Sequence, residues 1–278
     1  MENLGKRLFS SAILILLLLM LIFFDNTYLI IGGAVAFVFW SSVEFYDLVQ
    51  QKGIKASKWY GTISNIVIII VVGVLCGLNE IALSLLTWVF LFAACGAFVR
   101  QLFVASTNNA IFGISATILG IFYIGYLFSF LVLLRFFQSV AIGKYYLLSA
   151  VMMIKFSDAF AFFIGSIFGK HRLNARLSPK KSIEGLAGGI IGSVVGGLVT
   201  YFFIKEVGFS ILDAVVLGCI IGVVAEIGDL SESLLKRDAE IKDSRQLFPG
   251  LGGMLDILDS PLLCAPVFYF YVRYILNS

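Results

Sequence analysis

Residues 211–260 read ILDAVVLGCIIGVVAEIGDLSESLLKRDAEIKDSRQLFPGLGGMLDILDS, an apolar stretch that runs without a break into a dense block of charge. Residues 211–231 are long and apolar enough to cross a bilayer, which takes about 20 residues of helix. Of the 17 acidic residues in the chain, eight fall between 226 and 260: Glu226, Asp229, Glu232, Asp238, Glu240, Asp243, Asp256 and Asp259. Charge at the edge of hydrocarbon is costly, so it persists where it pairs, lines water or binds something. On one continuous helix Glu226, Asp229, Ser233, Lys236 and Arg237 project into an arc of about 100°. One face therefore carries carboxylates first and cations next.

Outward from this stretch, the whole chain has the same apolar character. Its 278 residues are 60% hydrophobic and 13% charged, with a mean hydropathy of +1.01, which excludes a soluble domain. The expected fold is an all-α polytopic membrane protein with about nine spans, near 8–24, 27–49, 61–77, 81–98, 110–131, 145–169, 186–204, 211–231 and 254–275. With the N-terminus in the cytoplasm, 15 of the 20 Lys and Arg residues fall in cytoplasmic segments, and Arg135, Lys144, Lys205 and Arg273 fall outside. That bias sets a cytoplasmic N-terminus and an external C-terminus. Lys6 and Arg7 ahead of the first apolar run imitate a signal peptide, but no small-residue cleavage site follows, so a retained helix is expected. The cysteines lie in apolar runs without metal-ligand spacing, and the one histidine, His171, leaves no room for a His-rich metal site.

The two halves differ. Residues 1–144 read as a scaffold of transmembrane helices, with Glu44 and Asp47 as acids at a helix end near a basic loop. Residues 145–278 carry the polar features. Lys155 and Asp158, at i and i+3, share a helix face, as an ion pair or as a substrate contact. In the loop GKHRLNARLSPKKSIEG (169–185), Ser178, Lys180, Lys181 and Ser182 precede a helix whose N-terminal amides face the same side, an anion-binding corner. The glycines at 185, 188, 189, 192, 196 and 197 read as packing positions between membrane helices. After the turn Pro249-Gly250-Leu251-Gly252-Gly253, Asp256 and Asp259 share a helix face, and their repulsion asks for a cation or metal. With Asp229, and Glu226 on the same helix, they offer hard oxygen ligands suited to Mg²⁺, which keeps waters and bridges phosphates.

Three segments together resemble the signature of the CDP-diacylglycerol synthases, the phosphatidate cytidylyltransferases: SPKKSIEG (178–185), GDLSES (228–233), and the run from Ser233 through Lys236-Arg237, Lys242-Asp243 and Phe248 to Asp259. The likeness departs from the family at Leu251, where a His is usual, at Ile257, where an Arg is usual, and at Arg245, a small-residue position. No role of that His or Arg transfers. The resemblance implies a Mg²⁺-dependent reaction of CTP with phosphatidate to give CDP-diacylglycerol and pyrophosphate, with K⁺ as a second ion and a homodimer as the assembly. It implies Asp229, Asp256, Asp259, Lys236 and Arg237 as catalytic residues. Ser178, Lys180, Lys181, Glu184, Asp158, Ser233, Lys242, Asp243, Gly252 and Gly253 would contact substrate, and Asp229, Asp256, Asp259 and Glu226 would hold metal.

The expected setting is a bacterial inner membrane with the site facing the cytoplasm; the bilayer is the partner and nucleic acid is not. The rival readings are a transporter of ions or lipids, which also shows intramembrane acids and a glycine-rich helix, and a non-catalytic family member.

Overall fold

A computed structural model describes residues 19, 22–75, 80–104, 107–174, 176–240 and 252–276. Eight helices long and apolar enough to cross a membrane lie among them. They match the second to ninth expected spans; the first, near 8–24, lies almost wholly outside the described residues, as do Lys242, Asp243 and Leu251. In order they are α1 (Thr27–Gln51), α2 (Lys58–Leu75), α3 (Glu80–Leu102), α4 (Ala110–Arg135), α5 (Val140–Phe168), α6 (Ile183–Phe203), α7 (Ile211–Asp238) and α8 (Met254–Tyr271).

Polar side chains begin several of these helices by taking up the free amides of the first turn. Asn26 Oδ1 accepts from Tyr28 and Leu29 at 3.0 and 3.2 Å, Ser139 accepts from Ile142, and Ser182 accepts from Gly185. Ser210 and Asp213 form a reciprocal capping box at the start of α7. The segment between α5 and α6, expected as a loop, is a small antiparallel hairpin of β1 (Arg172–Asn174) and β2 (Ser178–Ser182). The all-α class stands, and the extended form of this loop has a local cause: Pro179 cannot donate a backbone hydrogen bond and disfavours helix before it.

α6 lies between α5 and α7, and its glycine stripe is used for packing, as expected. A Cβ at Gly192 would sit 2.3 Å from the Phe156 carbonyl oxygen, and one at Gly196 would sit 2.9 Å from the Met153 Cα. On α7, Gly218 and Gly222 meet Val194 and Ile190 of α6 in the same way, while Gly228 meets α8: a Cβ there would be 2.7 Å from the Asp259 carbonyl oxygen. Only glycine allows the backbones of α7 and α8 to come this close, and the closeness brings their carboxylates together. Large apolar side chains such as Phe162, Phe203 and Leu212 stay on the outside, as lipid contact permits.

The polar segments collect at the two ends of the bundle. Lys52, just after α1, pairs with Asp238 at the end of α7 at 2.8 Å. Arg237 Nε donates to the Leu177 carbonyl in the hairpin at 3.3 Å. The basic segments 52–58, 170–182 and 236–238 therefore share one end. Asp25, Arg135 and Lys144 meet at the other, beyond the length of α5.

Candidate active site

Continuity of α7 from Ile211 to Asp238 places Glu226, Asp229, Ser233, Lys236 and Arg237 on one helix, as the spacing predicts. The hairpin supplies the first cross-element contact. Lys181, at the end of β2, sits 2.7 Å from Glu226 Oε1 and 2.7 Å from Asp229 Oδ2. Burial works against its ammonium charge, but Asp229 and then Glu226 outweigh burial and hold the Lys181 pKa above the ordinary lysine value. A residue 48 positions upstream of Asp229 is thereby locked as a cation at the acidic face.

The second contact comes from α8. The ligand oxygens of Asp229, Glu232 and Asp259 all lie within 4.8 Å of one another. Glu232 is 1% exposed, and neither of its oxygens finds a well-oriented hydrogen bond among the described residues, although Lys236 Nζ stands 2.5 Å from Oε2. Three carboxylates this close repel one another and demand positive charge between them. A hard divalent cation with oxygen ligands, Mg²⁺ above all, fits that donor set.

Asp256 and Glu226, the other expected metal ligands, are placed differently. Asp256 Oδ1 accepts from Lys236 Nζ at 2.8 Å and its Oδ2 accepts from the Gly253 amide at 2.7 Å, so it begins α8 and faces Lys236. Glu226 faces Lys181. Gly252 has φ +95°, and a Cβ on it would lie 2.1 Å from Asp256 Oδ2, so glycine is needed for both the turn and the approach. Ser233 Oγ donates to Asp229 Oδ1 at 3.4 Å.

The remaining expected contacts surround this centre. Lys180 is exposed beside Lys181, and Ser178 is half-buried in β2. Glu184 accepts from the backbone amides of Lys170 and His171 at 3.1 and 3.2 Å and sits 2.7 Å from His171 Nδ1, bracing the hairpin. Arg237 points to the hairpin backbone and lies outside the carboxylate cluster. Lys155 and Asp158 pair at 3.0 Å in the middle of α5 and are half-exposed.

Two residues carry more than the sequence reading assigned to them. Glu232 stands three positions after Asp229, on the adjoining part of the same helical face, and that i, i+3 spacing was its signal. Glu44, read as an acid at a helix end, is instead 1% exposed; its two oxygens accept from the Met254 and Leu255 amides at 2.9 and 2.8 Å. With no side chain on Gly253, the first turn of α8 needs an acceptor from elsewhere. Glu44 on α1 provides it, and so fixes the helix that carries Asp256 and Asp259. Asp47, one turn on, pairs with Lys58, as its position near the basic loop suggests.

Comparison with known proteins places this geometry in context. The sequence profile of the Cytidylyltransferase family matches residues 5–275. The phosphatidate cytidylyltransferase of Synechocystis sp. is 31% identical over 275 residues, covering 88% of this chain and 90% of that protein. That of Bacillus subtilis is 28% identical over 267 residues, covering 87% and 91%. That of Aquifex aeolicus is 39% identical over 128 residues, covering 46% and 47%.

Proposed function

The chain belongs to the Cytidylyltransferase family, and from that membership we infer that it is a phosphatidate cytidylyltransferase, converting CTP and phosphatidate to CDP-diacylglycerol and pyrophosphate. The observation that supports the mechanism is the meeting of Lys181 with Asp229, beside the three-carboxylate cluster that α7 and α8 build.

A phosphatidate oxygen, already anionic, attacks the α-phosphorus of CTP; one P–O bond forms, the bond to the β-phosphate breaks, and pyrophosphate leaves with the electron pair. No serine or cysteine nucleophile is needed. The work is orientation and charge stabilisation at two converging polyanions. Asp229, Glu232 and Asp259 would hold Mg²⁺, with Asp256 at their edge; a bound Mg²⁺ supplies Lewis-acid stabilisation of phosphate oxygens. Lys236 and Lys181 are held in place by their carboxylate partners, so each presents a fixed cation instead of a mobile one. Exposed Lys180 extends this positive edge toward the entry side. The half-exposed pair Lys155–Asp158 lines the approach along α5, where a lipid headgroup can enter while its acyl chains stay in the bilayer.

The proposal further places this end of the bundle in the cytoplasm of a bacterial inner membrane, adds the first span near 8–24, assigns residues 1–144 to a scaffold and the protein to a homodimer, and allows K⁺ beside Mg²⁺. Incubation of purified protein in detergent with phosphatidate, CTP and Mg²⁺ is expected to release pyrophosphate and CDP-diacylglycerol in equal amounts. No product, with ion or lipid movement across vesicles instead, overturns the enzyme reading.

A further inference from the structure

Two charges stand in the middle of α5, in an otherwise apolar stretch: Lys155 Nζ donates to Asp158 Oδ2 at 3.0 Å, and both side chains are half-exposed. Apart from Lys144 near the start, they are the only charges in Val140–Phe168. An ammonium has three N–H donors, and the one hydrogen bond of Lys155 among the described residues goes to Asp158. Charge within a membrane-spanning helix persists where it meets something polar. Two donors are thus left for an acceptor that comes from outside the protein.

Close helix contacts fix the depth of the pair. A Cβ at Gly189 of α6 would lie 3.1 Å from Ser157 Oγ, and one at Gly222 of α7 would lie 2.6 Å from the Cα of Ile190. Asp158 is therefore level with Gly222, deeper in the bundle than Glu226 by four residues and than Asp229 by seven, about 6 to 10 Å at the helical rise. On α8 the same level falls at Cys264, whose Sγ is 3.9 Å from the Ile221 carbonyl oxygen and which lies five residues past Asp259. The side of α5 that meets α6 carries Phe156, Ser157 and Ile164. At about 100° per residue, Lys155 and Asp158 project away from that side, with Asp158 one turn on from Ile154, which is 1% exposed. The pair thus borders the packed core, on a helix that adjoins both α7 and α8.

A diacylglycerol phosphate has a matching profile across the membrane. Its phosphate is the outermost group, its two ester carbonyls follow a few bonds deeper, and its acyl chains lie deeper still. The carbonyls accept hydrogen bonds and donate none. We propose that Lys155, oriented by Asp158, forms a glycerol-ester subsite: with the lipid phosphate at Lys181 and the carboxylate cluster, a remaining N–H of Lys155 donates to an ester carbonyl of the same lipid. The inference rests on reading phosphatidate as the substrate, and goes beyond it by naming a second part of that lipid that the protein recognises. A dialkyl ether lipid of the same shape lacks the acceptor and forfeits the contact.

Full-length protein in detergent is assayed with dioleoyl phosphatidate and with its dialkyl ether analogue. Wild type is expected to show a KM about tenfold lower for the ester lipid, the effect of one hydrogen bond from a charged donor. The double variant Lys155→Met/Asp158→Asn removes the pair without leaving an unpaired charge. In it the KM for the ester lipid is expected to rise to that for the ether lipid, with the KM for CTP unchanged. Equal KM values for the two lipids in wild type, a comparison that needs no variant, overturn the subsite. So does a preference that survives in the double variant; if both KM values rise together there, Lys155 takes the phosphate and not the ester. Melting temperatures with each lipid, without CTP or Mg²⁺, read binding apart from turnover. If wild type makes no CDP-diacylglycerol from either lipid, yet the ester lipid stabilises it more and the double variant loses that difference, the enzyme reading falls and the subsite stands.

Discussion

The two polar ends of the bundle are built from the same residue types to opposite effect. At one end Arg135, 1% exposed, donates from Nη1 to the Val140 carbonyl and from Nη2 to the Phe24 carbonyl and Asp25, while Lys144 also pairs with Asp25. Two cations share one acid, and backbone carbonyls take up most of the guanidinium. At the other end five acids, Glu226, Asp229, Glu232, Asp256 and Asp259, face two lysines, and Glu232, whose buried oxygens lack a well-oriented hydrogen bond among the described residues, shares Lys236 with Asp256. The first arrangement clamps the ends of α4 and α5 to the residues preceding α1, with Arg135 Nε left without a hydrogen-bond partner among the described residues. The second holds more carboxylate than its two lysines neutralise, a repulsion that a bound cation would relieve. Surplus carboxylate, and not charge as such, separates a site from a clamp.

The comparison breaks most visibly if the surplus end is neutralised without loss of rate. Asp229→Asn or Asp259→Asn is expected to lower kcat by about 10²–10³-fold or more while the thermal melt without Mg²⁺ is unchanged or higher, because like-charge repulsion is relieved. Retained activity in both variants removes the metal assignment. Asp256→Asn sharpens it: that side chain faces Lys236 and begins α8, so its loss is expected to lower both rate and stability.

Glu44→Ala links the two halves. It strips acceptors from two buried amides, a loss of about 1–3 kcal/mol for each unsatisfied group, and should cost activity through displacement of α8; Glu44→Gln should lose less. Denaturation in detergent, followed beside the pyrophosphate assay, checks both. Arg135→Met should destabilise by about 1–3 kcal/mol and leave the kcat of the surviving folded protein near wild type, since the clamp end holds no reacting group.

The smallest effect is one of pH. Hydrogen bonding to Lys144 is the main influence on Asp25 and holds its carboxyl below the ordinary aspartate value. A depressed carboxyl adds stability above its unfolded pKa, near 4, and loses it as pH falls through the lower folded value. The melting difference between wild type and Asp25→Asn should therefore be present at pH 7 and shrink toward pH 3; a constant difference would mean that the ion pair contributes nothing.

Length, apolar runs and periodicity were enough for the eight spans among the described residues, because a helix in lipid must satisfy its own backbone and so announces itself locally. The same local rules marked the packing glycines of α6 and the mixed face of α7, and the signature residues 178–185 and 228–259 made the family legible. Periodicity relates residues on one element; it does not say which elements touch. Glu44 and Leu255, 211 positions apart, could be joined only by the tertiary fold. So could Lys181 with Asp229. The choice between Glu232 and Asp256 for the centre of the cluster was likewise decided there. Both are acids on suitable faces, and the glycine-permitted closeness of α7 and α8 at Gly228 sets Glu232 beside Asp229 and Asp259, while Asp256 stays at the edge and shares Lys236 with Glu232.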